Sequence, residues 1–333
     1  KAEISAYDAN SGSRIWRTEL TPDLRDPNRK WYQFFNGTNP AEVGFGGGAA
    51  YDNGRVFVSS GFGFVAALDA ESGDLVWTHE TEAPIRTAPT ATNGYVYTVT
   101  NTNELLALRQ DTGEVEWNYQ SFEEAARFLS SASPAANEEV IVAPFSSGEV
   151  AALRVDNGQE LWRETVTRTS RLTALSNLND IAGSPVIDRG TVFAISHSDQ
   201  MSAIDLRSGR TLWETPISGL QTPWVSGEYI FVVSTEGELI CLTRGEGKVV
   251  WVSQLPRYEN EKRKRNRITW NGPVIAGGQL VLASSRGEVI LVDPQTGETT
   301  SRKRIGKGSN ITPVIANEKL FILSENGRLT AFQ

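Results

Sequence analysis

Short runs of alternating apolar and polar residues return along the whole chain, as in Tyr95-Val96-Tyr97-Thr98-Val99 and Thr191-Val192-Phe193-Ala194-Ile195, each bounded by glycine, asparagine or aspartate. A period of two predicts half-buried β-strands, and its regular return predicts a repeat built of strands, which excludes helical solenoids. Aligned on a glycine followed four residues later by tryptophan, the chain gives Gly12 and Trp16, Gly73 and Trp77, Gly113 and Trp117, Gly158 and Trp162, Gly209 and Trp213, and Gly247 and Trp251. A seventh copy at Gly297 carries Ser301 in the tryptophan place, and Ala331-Phe332-Gln333 starts an eighth. Upstream of each glycine an apolar strand ends in a small residue, a large one and often aspartate, as in Ala67-Leu68-Asp69 and Ala203-Ile204-Asp205.

Segments of a second kind lie between these: Pro89 to Val99, Pro134 to Val142, Pro185 to Ile195, Pro223 to Val233, Pro273 to Ala283 and Pro313 to Leu323, with Ala49 to Val58 in the same place without proline. Each reads as two strands joined by a tight turn such as Asn93-Gly94, Arg189-Gly190 or Gly277-Gly278, where glycine accepts the positive φ that the turn needs. One repeat is therefore four antiparallel strands, and tryptophan spacings of 38 to 61 residues fit a propeller blade with variable insertions. The tryptophans are expected on the outer strands, filling the gap between neighbouring blades.

The expected fold is all-β: a single β-propeller domain over residues 1–333, with eight four-stranded antiparallel blades, the first incomplete at its N-terminal side. Residues 3 to 20 supply only a third and a fourth strand, and residues 311 to 333 a first, second and third. On this count a precursor would carry about 40 further residues upstream, one repeat period. A seven-bladed ring is the alternative, with residues 14 to 20 completing the last blade by strand exchange.

Four connections are long: 21 to 43, 120 to 130, 165 to 183 and 254 to 270. All join a fourth strand to the next first strand, so they are expected on one face with the loops between second and third strands, where a rigid scaffold presents binding residues. In 121 to 129, Ser121 and Glu124 are placed as a capping box, predicting a helical turn that displays Phe128 and Leu129 to a partner or folds them under the loop as a local lid. In 168 to 182, Arg171, Leu175, Leu178, Asn179 and Asp180 precede a blade; the leucines can cover an apolar patch, and Asp180 either contacts a partner or caps the turn ahead of Pro185. Residues 257 to 267 concentrate positive charge, suited to an acidic partner or phosphate, or else form a solvated loop.

Composition narrows the function classes. One cysteine cannot pair within the chain, and two histidines with one thiol are too few for a zinc site of nitrogen and sulfur ligands, which leaves carboxylate calcium sites open. With 32 Lys plus Arg against 40 Asp plus Glu, the charge of −8 argues against broad nucleic-acid or anionic-membrane binding. His79 beside Trp77 and His197 in a loop stand in no catalytic motif, Cys241 replaces the small residue of a third strand and is expected buried and inert, and Gly46-Gly47-Gly48 opens a strand, so close backbone packing is its expected role.

The Ala-x-Asp-x-x-Thr-Gly-x-x-x-Trp repeat resembles that of the quinoprotein (PQQ) dehydrogenases and their non-enzymatic relatives. Within that group the chain is most similar to the family of propeller lipoproteins of the outer-membrane β-barrel assembly machinery, above all over Leu178 to Ile187, Val192 to Ala194 and Asp205 to Gly209. The resemblance implies a non-catalytic, cofactor-free scaffold that binds the POTRA domains of the barrel-inserting subunit, with unfolded outer-membrane protein clients as further partners. It places Asp180 on an acidic contact position, with Ala182 where some members have a second Asp, and sets Arg127, Phe128 and Leu129 in the other contact loop in an order that departs from the family's Leu-Arg pattern. It also implies the periplasmic side of the outer membrane and a lipidated N-terminal cysteine, absent from this chain. The competing reading is a periplasmic PQQ-dependent dehydrogenase, in which a carboxylate takes a substrate proton and calcium polarises the quinone. The adjacent cysteines of related alcohol dehydrogenases have no counterpart here.

Overall fold

The computed structural model describes residues 3–20, 46–122, 132–166 and 181–333. They belong to two compact units, 1–165 and 166–333.

In the first unit, β1 (Glu3–Tyr7) and β2 (Arg14–Glu19) form a two-stranded sheet. Three four-stranded sheets follow, each in sequence order. The first holds β3 (Gly47–Asp52), β4 (Arg55–Ser60), β5 (Phe64–Asp69) and β6 (Leu75–Glu80), and the second β7 (Thr90–Thr92), β8 (Tyr95–Val99), β9 (Glu104–Arg109) and β10 (Val115–Gln120). The third holds β11 (Ala135–Ala136), β12 (Val140–Pro144), β13 (Glu149–Arg154) and β14 (Glu160–Thr165).

In the second unit, β15 (Val186–Asp188), β16 (Thr191–Ile195), β17 (Met201–Asp205) and β18 (Thr211–Thr215) form one sheet, and β19 (Trp224–Ser226), β20 (Tyr229–Val233), β21 (Glu238–Thr243) and β22 (Val249–Gln254) the next. A separate hairpin of β23 (Tyr258–Asn260) and β24 (Arg265–Arg267) precedes the sheet of β25 (Trp270–Ala276), β26 (Gln279–Ser284), β27 (Glu288–Val292) and β28 (Thr299–Arg304). The last sheet has three strands, β29 (Val314–Ala316), β30 (Lys319–Leu323) and β31 (Leu329–Phe332).

Every pairing is antiparallel between consecutive strands, as the repeat predicts. Among the described residues the repeats form seven blades, six of four strands and one of three as residues 311 to 333 predict, and the first blade, expected to be incomplete, is only the β1–β2 pair and no full eighth blade. Residues 3–20 hold too little chain for more than half a blade. Residues 3–7 pair with residues 14–19, so they are not the surplus segment that the seven-bladed alternative would make of them.

The turns follow from local chemistry. Asn93 and Gly94, Arg189 and Gly190, and Gly277 and Gly278 all have positive φ, the mirror-image geometry whose twist matches paired strands. At the turn between third and fourth strands, Asp69 Oδ1 accepts from the backbone N–H groups of Glu71 at 3.0 Å and Ser72 at 2.8 Å, and the Gly73 N–H donates to the Asp69 carbonyl at 2.9 Å. The aspartate thus satisfies turn amides that no strand can reach.

Third strands are buried on both faces, whereas fourth strands alternate at the solvent edge, as β5 and β6 illustrate. Across the pair, tryptophan faces a small residue: Ala6 opposite Trp16, Ala67 opposite Trp77, Ala107 opposite Trp117, Ala203 opposite Trp213, and Cys241 opposite Trp251. The small residue leaves room for a ring from the second strand, so Phe57 meets Trp77 at 6.0 Å, Tyr97 meets Trp117 at 5.9 Å and Phe231 meets Trp251 at 6.0 Å between centroids. Where Ser301 replaces tryptophan, Leu291 stands opposite and restores the volume.

The core lies between adjacent sheets. Tyr97, Leu105 and Trp117 of one sheet pack with Ile141, Ala151 and Leu153 of the next, and Phe231, Leu239 and Cys241 pack with Leu280, Leu282 and Ile290. At five of the repeats the tryptophan crosses this seam. Its indole N–H donates to a carbonyl of the following sheet: Trp16 to Ala70, Trp77 to Gln110, Trp117 to Val155 and Trp213 to Arg244, each at 2.9 Å, and Trp251 to Pro294 at 3.1 Å. The ring then lies over the repeat glycine, where a Cβ would stand 2.4–2.6 Å from ring carbons at Gly73, Gly113, Gly158, Gly247 and Gly297. Glycine is required there twice, for φ of +64 to +76 and for the close approach.

Two smaller expectations hold. Cys241 is 1% exposed, and burial pushes its thiol up to about 11. A Cβ at Gly47 would meet the Ser59 carbonyl oxygen at 2.2 Å and one at Gly48 would meet the Ala88 Cβ at 2.6 Å, so the glycine run serves close backbone packing.

Candidate functional site

The eight residues that the sequence points to, Arg127, Phe128, Leu129, Arg171, Leu175, Leu178, Asn179 and Asp180, all lie outside the described residues, as does most of the expected helical turn over 121 to 129. What the structure describes is the stems that carry these segments.

The first connection leaves β10 at Gln120. The Ser121 N–H donates to the Asn103 carbonyl at 3.0 Å, the Ser121 hydroxyl to Glu149 Oε2 at 3.2 Å, and Asn103 Nδ2 to the Phe122 carbonyl at 2.6 Å. Asn103, in the left-handed conformation at φ 60, also accepts from the Ser146 hydroxyl at 2.9 Å through Oδ1. Asn103 sits at the bend between the second and third strands of its sheet and Glu149 opens the third strand of the next, so this insertion emerges beside such loops, on the face the repeat predicts. The returning stem is buried at Ala132 and anchored where the Thr90 hydroxyl donates to the Pro134 carbonyl.

Beside this stem is a cluster that sequence reasoning missed. Phe122 is 70% exposed, and the Arg163 guanidinium lies over its ring at 5.3 Å and over the Tyr119 ring at 5.8 Å. Arg163 is held by Glu160 at 2.9 Å and Glu149 at 3.6 Å, and donates to the Tyr119 hydroxyl, which in turn donates to Glu160. Burial and then Glu160 push the Tyr119 phenol up to about 12, while the Tyr119 and Arg163 bonds hold the Glu160 carboxyl below its ordinary range. An exposed ring backed by a fixed guanidinium has the chemistry found in protein contacts, where aromatic and arginine side chains bury much area at low entropic cost. Arg163 sits just after Trp162 on an outer strand, half-buried beneath the Phe122 ring.

The second connection is bounded by Val166 and Ile181, both fully buried, so its ends are fixed in the core. Gly183 follows, where a Cβ would stand 2.5 Å from the Gln221 carbonyl oxygen. The fourth connection is ordered as the β23–β24 hairpin, beside a cavity of about 320 Å³ lined by residues that include His197, Leu220, Arg257, Arg267 and Trp270.

Burial lowers the pKa of His79, whose imidazole sits on β6 near the Gly113 backbone, in the seam rather than a cleft. No group of three or more His, Cys, Asp or Glu among the described residues could hold a metal ion. No helix among the described residues is long and apolar enough to cross a membrane.

A family model described as outer membrane protein assembly factor BamB matches residues 1–253 and 256–333. The Yersinia pestis protein of that name is 26% identical over 333 residues, covering 100% of this chain and 80% of its own length, and that of Burkholderia pseudomallei is 25% identical over 99% of this chain and 79% of its own. Among solved structures, BamB from Moraxella catarrhalis superposes with a TM-score of 0.82 at 20% identity, over 99% of this chain and 91% of the other. A europium-containing methanol dehydrogenase does so with a TM-score of 0.73 at 13% identity, over 99% and 78%. Both likenesses bear on fold alone, an all-β propeller of PQQ-like repeats.

Proposed function

The chain belongs to the BamB family of outer-membrane protein assembly factors, and from that premise we propose that it is a non-catalytic scaffold of the machinery that inserts β-barrels into the outer membrane. Its partner on this reading is the POTRA region of the barrel-inserting subunit, met by the insertions around Arg127, Phe128 and Leu129 and around Arg171, Leu175, Leu178, Asn179 and Asp180. The observation that carries the reading is the match of the family model along nearly the whole chain rather than over isolated blades. Support comes from the first insertion stem, where Arg163 lies over the exposed Phe122 ring at the point from which the segment carrying 127–129 departs in sequence.

We further infer a single propeller domain of eight blades, in which β1 and β2 are the third and fourth strands of the first. Trp16 supports this, since it locks onto Ala70 and Gly73 in the way Trp77, Trp117, Trp213 and Trp251 lock onto the sheets that follow them. The location that follows from the family is the periplasmic side of the outer membrane, through a lipid anchor. Outer strands such as β22, with Val249, Val250 and Val252 each about half exposed, offer edges to which an extended client could add.

Calorimetry with the POTRA segment from the same source tests the reading. One-to-one binding, lost in Asp180→Ala with Leu129→Ala while the unfolding midpoint stays unchanged, is the expected outcome. Saturable binding indifferent to both substitutions would reject these contact residues, and no binding would reject the partner. The dehydrogenase alternative predicts a quinone absorption band on reconstitution with calcium and PQQ; the scaffold predicts none.

A further inference from the structure

The chain is acidic overall, yet its charge is unevenly spread. Residues 1–165 hold twelve Lys and Arg against twenty-four Asp and Glu, whereas residues 257–307 hold eleven against five. This positive charge is centred on the β23–β24 hairpin, which is built and anchored rather than loosely solvated. Glu261 Oε1 accepts from the N–H groups of Arg257 at 2.8 Å and Tyr258 at 3.0 Å, and Asn260 caps the turn by accepting from the Arg263 N–H at 3.0 Å. Asn266 donates to Glu259 at 2.6 Å, and Arg286 pairs with Glu259 at 3.8 Å.

Both acidic residues of the hairpin are thereby spent on its own frame and on Arg286. Lys262, Arg263, Lys264 and Arg265 are all exposed and form no ion pair among the described residues. At the base, Arg257 pairs with Glu236 at 2.5 Å and Arg267 donates to the Thr235 carbonyl at 2.9 Å, which fixes both guanidinium groups at the mouth of the cavity of about 320 Å³. Its apolar lining comes from Leu220, Val233, Ile268 and Trp270. That volume falls at the lower end of sites that hold small ligands, roughly 300–1,000 Å³.

We propose that the hairpin and this cavity form a docking site for an acidic peptide segment bearing one large apolar side chain, which enters the cavity while its flanking carboxylates meet the cationic turn. The chemistry favours a peptide over an anionic bilayer. A flat surface cannot reach a concave apolar pocket, and residues 259–267 contain no apolar side chain that could enter a bilayer. Carboxylates suit arginines held in place, which accept them in a planar fork. The site stands apart from the assembly reading, because it uses neither the POTRA partner nor the insertions around residues 127–129 and 171–180.

The test is fluorescence anisotropy with two labelled synthetic peptides: one phenylalanine flanked on each side by aspartates, and its all-aspartate counterpart. The expected result is saturable binding of the phenylalanine peptide, weaker at high salt through screening. It should be weakened about tenfold by K262Q/R263Q/R265Q, on the scale of a few exposed ion pairs. Lys264 is kept because it holds a left-handed backbone at φ 48. Leu220→Gln, at a residue 48% exposed, should weaken the phenylalanine peptide and leave the all-aspartate peptide unchanged. Absence of binding, equal affinity for the two peptides, indifference to the triple substitution, or preference for phosphatidylglycerol vesicles over the peptide would each overturn the proposal. Unchanged circular dichroism and thermal midpoints of the variants exclude misfolding as the cause of a loss.

Discussion

Substituting Gly113 by alanine puts the blade seam under a defined load. The new Cβ would stand 2.5 Å from Cε3 and 2.6 Å from Cδ2 of Trp77, an indole also tied to the Gln110 carbonyl at 2.9 Å and so unable to slide away without losing that bond. Two costs add. The left-handed φ of +75 costs an alanine about 1–2 kcal/mol, of which about 0.4–1 kcal/mol returns because alanine restricts the unfolded chain. Overpacking against the ring adds about 1–3 kcal/mol. The comparison is Gly94→Ala, where φ is +80 and nothing lies within 4 Å, so only the backbone cost applies. The excess of the first variant over the second, about 1–3 kcal/mol, measures the seam alone. Urea unfolding followed by far-ultraviolet circular dichroism gives both values, provided the slope is unchanged. In a Trp77→Leu background the cost of Gly113→Ala should fall to that of Gly94→Ala, the coupling expected of residues in contact. Equal costs of the two glycine variants, or an excess that persists without the indole, would refute the reasoning.

Two further outcomes follow from titrating groups. The buried Cys241 thiol, pushed up to about 11, should resist Ellman's reagent near neutral pH until the chain unfolds. Because its folded pKa exceeds the unfolded value of about 8.5, its contribution to stability is intact below that pH and is lost as pH rises toward 11; Cys241→Ala, which installs the residue found at Ala67 and Ala107, should remove this part of the alkaline decline in urea midpoint. The Asp205 carboxyl is held below its ordinary range by the Ser208 hydroxyl and backbone N–H, so its stabilisation is present above the unfolded pKa and lost as pH falls through the folded one. Asp205→Asn should therefore be less stable than the parent at neutral pH, and the gap between them should close in acid.

The strand order and the seam were legible in the sequence because each repeat writes both halves of the joint in residues of unusual type, a glycine and a tryptophan four positions apart. Even the loss at Ser301 was visible, although its compensation by Leu291 needed the register to be seen. The incomplete end blades were legible as well, because residues 3–20 hold the signatures of a third and a fourth strand alone and residues 311–333 those of a first, second and third. The Phe122 and Arg163 contact could not be read from the chain: it depends on two residues forty-one positions apart, brought together only when neighbouring sheets dock. The basic segment 257–267 was seen as charge, but its order comes from Glu259, Glu261 and Asn260 acting on the backbone and side chains of the same hairpin, which a charge count sums away.

The joint also bears on how such a chain can change by descent. Because a repeat carries a ring for its successor and a bare backbone position for its predecessor, copying one whole repeat yields compatible partners on both sides at once. Altering either half alone leaves a mismatch in a different repeat. Gene duplication is thus the easy route to a longer array, and a single substitution at the seam calls for a second, in the same copy as with Leu291 opposite Ser301 or in the adjoining one.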